Sequence, residues 1–496
     1  MTDLWHEPRL LIDGELVEAE GDRTYAVINP ATGEEFARSA DATMADMERA
    51  IGAARRAFDE SDWATNHAFR LRCLRQLHTA LVDHLEELRP LVVTEVGAPV
   101  MLTSGPMLEA PVAMTEWYAD MLESYEWTQD LGQREMMGRV SHRWVVREPV
   151  GVVAAITPYN YPIQISLAKL APALAAGCTV VLKAAPDTPL SVLALGRLIH
   201  DHTDIPAGVV NVIAAEDNDV SELLTTHPDV DMVSFTGSTP VGRAIMKAAS
   251  DTVKKTFLEL GGKSAFIVLD DADAALAAMF AAFTICSHAG QGCAITTRLL
   301  VPAAMHDEVV ASAVGVLDGI AFGDPTDPAM MMGPLINERQ REKVDALVKT
   351  AIAEGATLAR GGKPGEGPGY FYEPTLLANV GENDTIAQQE VFGPVLAVIA
   401  YEGGDDEAVR IANNSEFGLS GAVFGDDIER CRAVARGIRS GTISINGGMY
   451  YGPDAPFGGY KQSGIGREMG VAGFEEFLEM KTIAEPVTVE PAVEAN

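Results

Sequence analysis

The chain has 496 residues, long enough for about three structural units and a sizeable apolar core. Hydrophobic residues make up 47% and charged residues 22%, which excludes general disorder. Against 37 Lys and Arg stand 71 Asp and Glu, and the net charge of −34 works against binding nucleic acid or an anionic membrane surface.

The first residues, Met1 to Glu7, carry an early acid and no apolar stretch, so they do not read as a secretory signal. Residues 41–61 have the spacing of an amphipathic helix, with Met44, Met47, Ile51, Ala54 and Phe58 as its core stripe. From Gly151 the pattern changes to short apolar runs alternating with helical segments. Residues 151–156, 179–182, 208–213 and 232–235 read as buried strands. Helices are expected at 163–176, ended by Gly177, and from about Thr188 and Pro240. This alternation predicts a doubly wound parallel α/β sheet, with ligands bound beyond the carboxyl ends of its strands. A second α/β unit is expected from Ser264 to about Ile445, containing a Gly/Pro-rich loop at 361–369. The tail from Glu485 to Asn496 reads as extended or frayed.

The five cysteines, Cys73, Cys178, Cys286, Cys293 and Cys431, have no regular spacing and no CxxC pair. That argues against a disulfide framework and a structural zinc site, and predicts a reducing, cytoplasmic setting. No His pair has metal-ligand spacing, so no metal is expected. The most apolar helical run, 274–286, is too short to span a membrane.

Four segments can carry chemistry. Phe235-Thr236-Gly237-Ser238-Thr239-Pro240 is a small-residue strand-to-helix turn whose backbone N–H groups suit a phosphate, although an ordinary tight turn has the same appearance. The usual GxGxxG fingerprint is absent, and so is a P-loop: Phe257 stands where the first glycine before Gly262-Lys263-Ser264 would be. Cys293, in Gly290-Gln291-Gly292-Cys293, is an approachable thiol and a candidate nucleophile; a buried structural cysteine is the alternative. Glu259, between Leu258 and Leu260, suits a buried general base or a buried ion pair. Asn160, in Pro158-Tyr159-Asn160-Tyr161-Pro162, can donate to an oxyanion or merely shape a turn.

Taken together, these segments resemble the aldehyde dehydrogenase superfamily in order and spacing. Glu390-Val391-Phe392-Gly393-Pro394 and Pro456-Phe457-Gly458-Gly459-Tyr460-Lys461-Gln462-Ser463-Gly464 extend the match, as do Asn29-Pro30-Ala31-Thr32-Gly33-Glu34 and Glu373-Pro374-Thr375. The resemblance runs from about Leu10 to Lys481. It implies a Rossmann-like cofactor domain (1–125 and 149–261), a catalytic α/β domain (262–465), and an oligomerisation arm with the C-terminal segment (126–148 and 466–496). The arm would use a hairpin at 126–147 and a strand at 482–489, giving a homodimer or homotetramer.

The same resemblance implies oxidation of a small-molecule aldehyde to its acid. Cys293 would form a thiohemiacetal and then a thioester, Asn160 and the Cys293 backbone would hold the oxyanion, and Glu259 would activate water. Lys169 and Glu468 would relay protons. Lys183 would bind the adenosine ribose, with Ile156, Thr157, Pro158, Gly237, Ser238, Val241 and Leu260 lining the site. Glu390 would bind the nicotinamide ribose beside Phe392. Pro186 stands where many NAD-preferring members carry Glu, so NADP is not excluded, but no nearby Arg offers itself to a 2′-phosphate and NAD is favoured. Tyr161, Tyr451 and Phe457 map to the substrate passage. Ala168 replaces a bulky aromatic found in some members, and no cation anchors a substrate carboxylate, which points to an apolar or aromatic aldehyde. Two alternatives are a CoA-acylating semialdehyde dehydrogenase, which typically lacks the base that Glu259 supplies, and a catalytically silent ligand-binding relative.

Overall fold

Two parallel sheets dominate the computed structural model, which describes residues 6–487. In the first sheet, Lys255–Glu259, Met232–Thr236, Val152–Ile156, Thr179–Ala184 and Val210–Ala214 lie side by side and all parallel. Val152–Ile156 and its neighbours are wholly buried, because helices cover both faces of a parallel sheet and leave no solvated side. The helix Pro162–Ala176 is apolar nearly all round and ends at Gly177, whose φ of 98° is the left-handed geometry of a helix stop. The expected alternation from Gly151 onward is therefore what forms.

Three antiparallel edges escaped the periodicity. Leu10–Ile12 and Glu15–Val17 extend the first sheet at one side, and Gly464–Ile465 closes it at the other by pairing with Leu258 and Glu259. Residues 464–465, expected with the catalytic domain, hydrogen-bond to the first sheet instead. The predicted helix at 41–61 is Met44–Glu60, started by a capping box between Thr43 and Asp46. Met47, Ile51 and Ala54 are buried as expected. Met44 is 45% exposed.

The second sheet runs Thr375–Ala378, Val395–Tyr401, Thr296–Pro302, Ser264–Val268, Ser420–Phe424 and Thr442–Ile445 in parallel, with Thr357–Arg360 antiparallel at one edge. Each sheet has its own apolar core. A third, three-stranded antiparallel sheet joins Thr128–Met136, Arg139–Pro149 and Leu478–Pro486. The predicted arm strand thus begins at Leu478, ahead of 482, and ends at Pro486; residues 488–489 of the expected strand, with the rest of the expected tail to 496, lie outside the described residues. Phe474 and Phe477, just before it, pack in the first core. Cys73, Cys178, Cys286 and Cys431 are buried, and Cys293 is partly exposed.

Candidate active site

In the first sheet the chain builds outward from Val152–Ile156 through two strands. It then returns to the other side of that strand with Met232–Thr236 and Lys255–Glu259. A crevice must open where the order reverses, above the carboxyl ends of Val152–Ile156 and Met232–Thr236. The loops that leave those ends carry Pro158 and Asn160 on one side and Gly237 and Ser238 on the other. Glu259 is the last residue of the neighbouring strand. All five line one cavity of about 180 Å³, and from the second sheet's side Cys293, Glu390 and Phe392 close it.

Close backbone approach builds this meeting point. A Cβ at Gly262 would lie 2.3 Å from the carbonyl oxygen of Cys293, so only glycine lets the end of the first sheet touch the nucleophile loop. The same turn places the Gly262 N–H on Glu390, whose Oε1 accepts it at 2.8 Å. Burial holds the Glu390 carboxyl above its usual range.

Cys293 and Glu259 are neighbours. Burial, and then the adjoining Glu259 charge, push the Cys293 thiol well above its ordinary value. The carboxyl of Glu259 is itself raised, first by burial and then by the like charge of Glu468. It is 2% exposed, and its Oε1 has no hydrogen-bond partner among the described residues. A carboxylate in that position is a stronger base than one in water. It is placed to take a proton from the thiol or from a water beside it.

Asn160 is buried, and its Nδ2 donates to the carbonyl of Gln291 at 2.9 Å. The second N–H of an amide held in this way is free for an oxyanion in the shared cavity. Lys169 and Glu468 form a buried pair at 2.7 Å, with the ammonium 4.8 Å from the centre of the Phe257 ring. The pair is thus self-satisfied, and it adjoins Glu259 through its charge.

On the cofactor side, Ile156 pairs with Lys183 across adjacent strands, and Thr157 donates to the Lys183 carbonyl through both its N–H and its hydroxyl. Burial lowers the Lys183 amine to about 8. Ser238 caps the helix Thr239–Ala249 without a side-chain bond, so the backbone donors of the first turn stay available to a phosphate. Val241 is exposed on that turn. Leu260 is buried beneath it, where a Cβ at Gly242 would come within 2.6 Å of the Leu260 side chain. Pro186 is partly exposed, and Asp187 beside it accepts from Asn337 at 3.0 Å. Phe392 takes a φ of 56° and packs edge-on against Tyr159. Sequence reasoning missed what holds it there. Gln340 donates to the carbonyls of Val391 and Phe392 at 3.0 and 2.8 Å. Lys343 also lines the cavity.

Beyond the thiol lies a small apolar cluster of Met114, Ala168, Leu419, Phe457 and Met469, with Cys293, Tyr450 and Tyr451 packed against it. Of the predicted substrate residues, Phe457 and Tyr451 belong here, their rings 5.8 Å apart. Tyr161 stands at another wall, edge-on to His288. Met114, Leu419, Tyr450 and Met469 were not anticipated, because a methionine or leucine inside an apolar stretch reads as core. The Tyr450-Tyr451 doublet beside the Phe457 motif was the one available signal. Among the described residues no group of His, Cys, Asp and Glu could hold a metal ion, and no helix is long and apolar enough to cross a membrane.

Comparison with known proteins agrees with this geometry. The model of the aldehyde dehydrogenase family matches residues 16–483. A 3-succinoylsemialdehyde-pyridine dehydrogenase from Pseudomonas sp is 42% identical over 478 residues, covering 95% of this chain and 97% of that one. The crystal structure of betaine aldehyde dehydrogenase from Staphylococcus aureus in complex with NAD+ superposes with a TM-score of 0.93 at 36% identity, covering 99% of this chain and 97% of the other. An aldehyde dehydrogenase C mutant from Pseudomonas syringae, complexed with NAD+ and octanal, gives 0.90 at 39% identity, with 96% of both chains covered. The chain described here belongs to the aldehyde dehydrogenase family.

Proposed function

We propose that the chain oxidises an aldehyde to its carboxylic acid with NAD, using Cys293 as nucleophile, Asn160 as oxyanion donor and Glu259 as base. The observation that carries this reading is the convergence of all three on one crevice at the strand ends, walled by Glu390 and Phe392. Lys183, the uncapped turn after Ser238 and Glu390 fit a dinucleotide. They offer an amine, free backbone donors and a carboxylate along a single cleft.

Glu259 takes the thiol proton, and the sulfur adds to the aldehyde carbon. The new C–S bond displaces the carbonyl π pair onto oxygen. Asn160 and the Cys293 backbone N–H hold that charge beside the buried Glu259. The chemistry supplied by a bound nicotinamide dinucleotide is acceptance of hydride from this adduct, leaving a thioester on Cys293. Glu259 then draws a proton from water, the hydroxide adds to the thioester, and the thiolate leaves with the acid. Lys169 and Glu468, whose charges adjoin Glu259, would pass on the proton it holds.

The apolar cluster beyond Cys293 favours an uncharged aliphatic or aromatic aldehyde, since burying a carboxylate against these side chains is costly. The arm exposes Leu131, Met136, Met137 and Met480 along an antiparallel sheet with open edges. Such a surface favours a homodimer or homotetramer. The unpaired cysteines favour a cytoplasmic setting. The three main sheets favour a division into cofactor domain, catalytic domain and arm, with Gly464–Ile465 joining the first of them.

Cys293→Ala tests the reading. Turnover of an aliphatic aldehyde is expected to fall by about 10⁴-fold or more, while NAD affinity, read by calorimetry, stays unchanged. Near-normal turnover in that variant would overturn it.

A further inference from the structure

Before the nucleophile, the chain makes three consecutive left-handed residues: His288 at φ 46°, Ala289 at 51° and Gly290 at 73°. At Gly290 the reason is close approach, because a Cβ would fall 2.1 Å from the carbonyl oxygen of Gly393. At His288 and Ala289 the geometry is unfavourable for an L residue and has to be held from outside. Gln291 is the holder. Its side chain is fully buried. Nε2 donates to the carbonyls of His288 and Pro334, each at 3.3 Å, and Oε1 accepts from the Ile336 N–H at 2.9 Å. The carboxamide thus ties the strained turn to a separate stretch of chain.

These bonds fix the direction of the Gln291 backbone carbonyl, which accepts from Asn160 Nδ2 at 2.9 Å. The Asn160 Oδ1 is buried with no partner among the described residues. The rotation of the Asn160 amide therefore depends on that single bond. We infer that Gln291 is a positioning residue for the oxyanion site: its side chain locks the left-handed turn so that its own carbonyl aims the Asn160 amide at the atom beside Cys293. This rests on the reading of Asn160 as oxyanion donor. It adds a residue that touches neither substrate nor cofactor.

The test is transient kinetics on the full-length enzyme with NAD and an uncharged aldehyde, comparing Gln291→Met, Asn160→Ala and the double variant. Gln291→Met keeps the side-chain length and removes all three side-chain bonds. Hydride transfer is expected to slow by about 10- to 100-fold. As that step becomes limiting, a primary isotope effect with aldehyde deuterated at C1 should emerge in kcat, while NAD affinity stays within about twofold. The double variant should be no slower than Asn160→Ala, since both act through one amide. Gln291→Glu gives a second handle. Its neutral carboxyl restores a donor and an acceptor and its carboxylate does not, so its rate relative to the parent should recover as pH falls. Four outcomes would overturn the inference: Gln291→Met leaving hydride transfer unchanged while Asn160→Ala slows it, equal losses in hydride transfer and NAD affinity, multiplying losses in the double variant, or a Gln291→Glu ratio that does not move with pH. If Asn160→Ala itself leaves hydride transfer unchanged, the oxyanion reading fails first.

Discussion

The two walls of the catalytic cleft are built in different ways. The cofactor wall is made of strand ends in the first sheet and the turns that follow them. Ile156, Lys183, Gly237 and Glu259 each occupy a position that a local run of residues dictates. The acyl wall has no such source. Met114 comes from one helix, Ala168 from another, and Leu419, Phe457 and Met469 from separate stretches of the second half. A wall written in local motifs tolerates little change in any one turn. A wall assembled from distant side chains can change shape one residue at a time. On the proposed reading, reaction and specificity are stored in different parts of the chain.

If that division holds, substitutions on each wall should separate kinetically. Ala168→Trp fills the acyl side and should lower kcat/KM for bulky aromatic aldehydes by about 10- to 200-fold, with little effect on acetaldehyde and none on the KM for NAD. A matching loss in NAD affinity would break the distinction. On the other wall, Lys183→Met should raise the KM for NAD by about tenfold for every aldehyde alike. The Lys183 amine, lowered to about 8 by burial, is cationic below that pH and neutral above it. NAD affinity in the parent should therefore weaken as pH rises through about 8 and stay flat in Lys183→Met, as a titration calorimeter would read. The smallest effect is expected from Pro186→Glu. A carboxylate there should shift the ratio of NAD to NADP efficiency toward NAD by about fivefold, and an unchanged ratio would place Pro186 outside the recognition of the adenosine ribose.

The same division explains what could be read in advance. Alternating apolar runs from Gly151 to Thr236 announced the parallel sheet, and Gly177 announced the end of its first helix, because both signals are local. Asn160, Glu259 and Cys293 were visible from their motifs, and the fold brings them to one cavity. Met114 and Met469 were invisible, since nothing near them in the chain distinguishes an acyl-wall methionine from a core one. That Gly464–Ile465 pairs with the first sheet was not legible for the same reason. Two residues carry no periodicity, and only their pairing with Leu258 and Glu259 reveals where they belong. Gln340, which secures Phe392, and Gln291, which faces Asn160, lay inside or near motifs, but a glutamine that works through backbone carbonyls leaves no spacing to detect.

The central claim is that Glu259 acts as the base that frees the acid from Cys293. It is tested most directly by rapid mixing of Glu259→Gln with NAD and an uncharged aldehyde. The account predicts a burst of NADH approaching one equivalent per active site, slower than in the parent because Glu259 also takes the thiol proton, followed by a steady state slowed further still, by about 10²- to 10⁴-fold. Loss of the burst, with hydride transfer slowed as much as acid release, would contradict it.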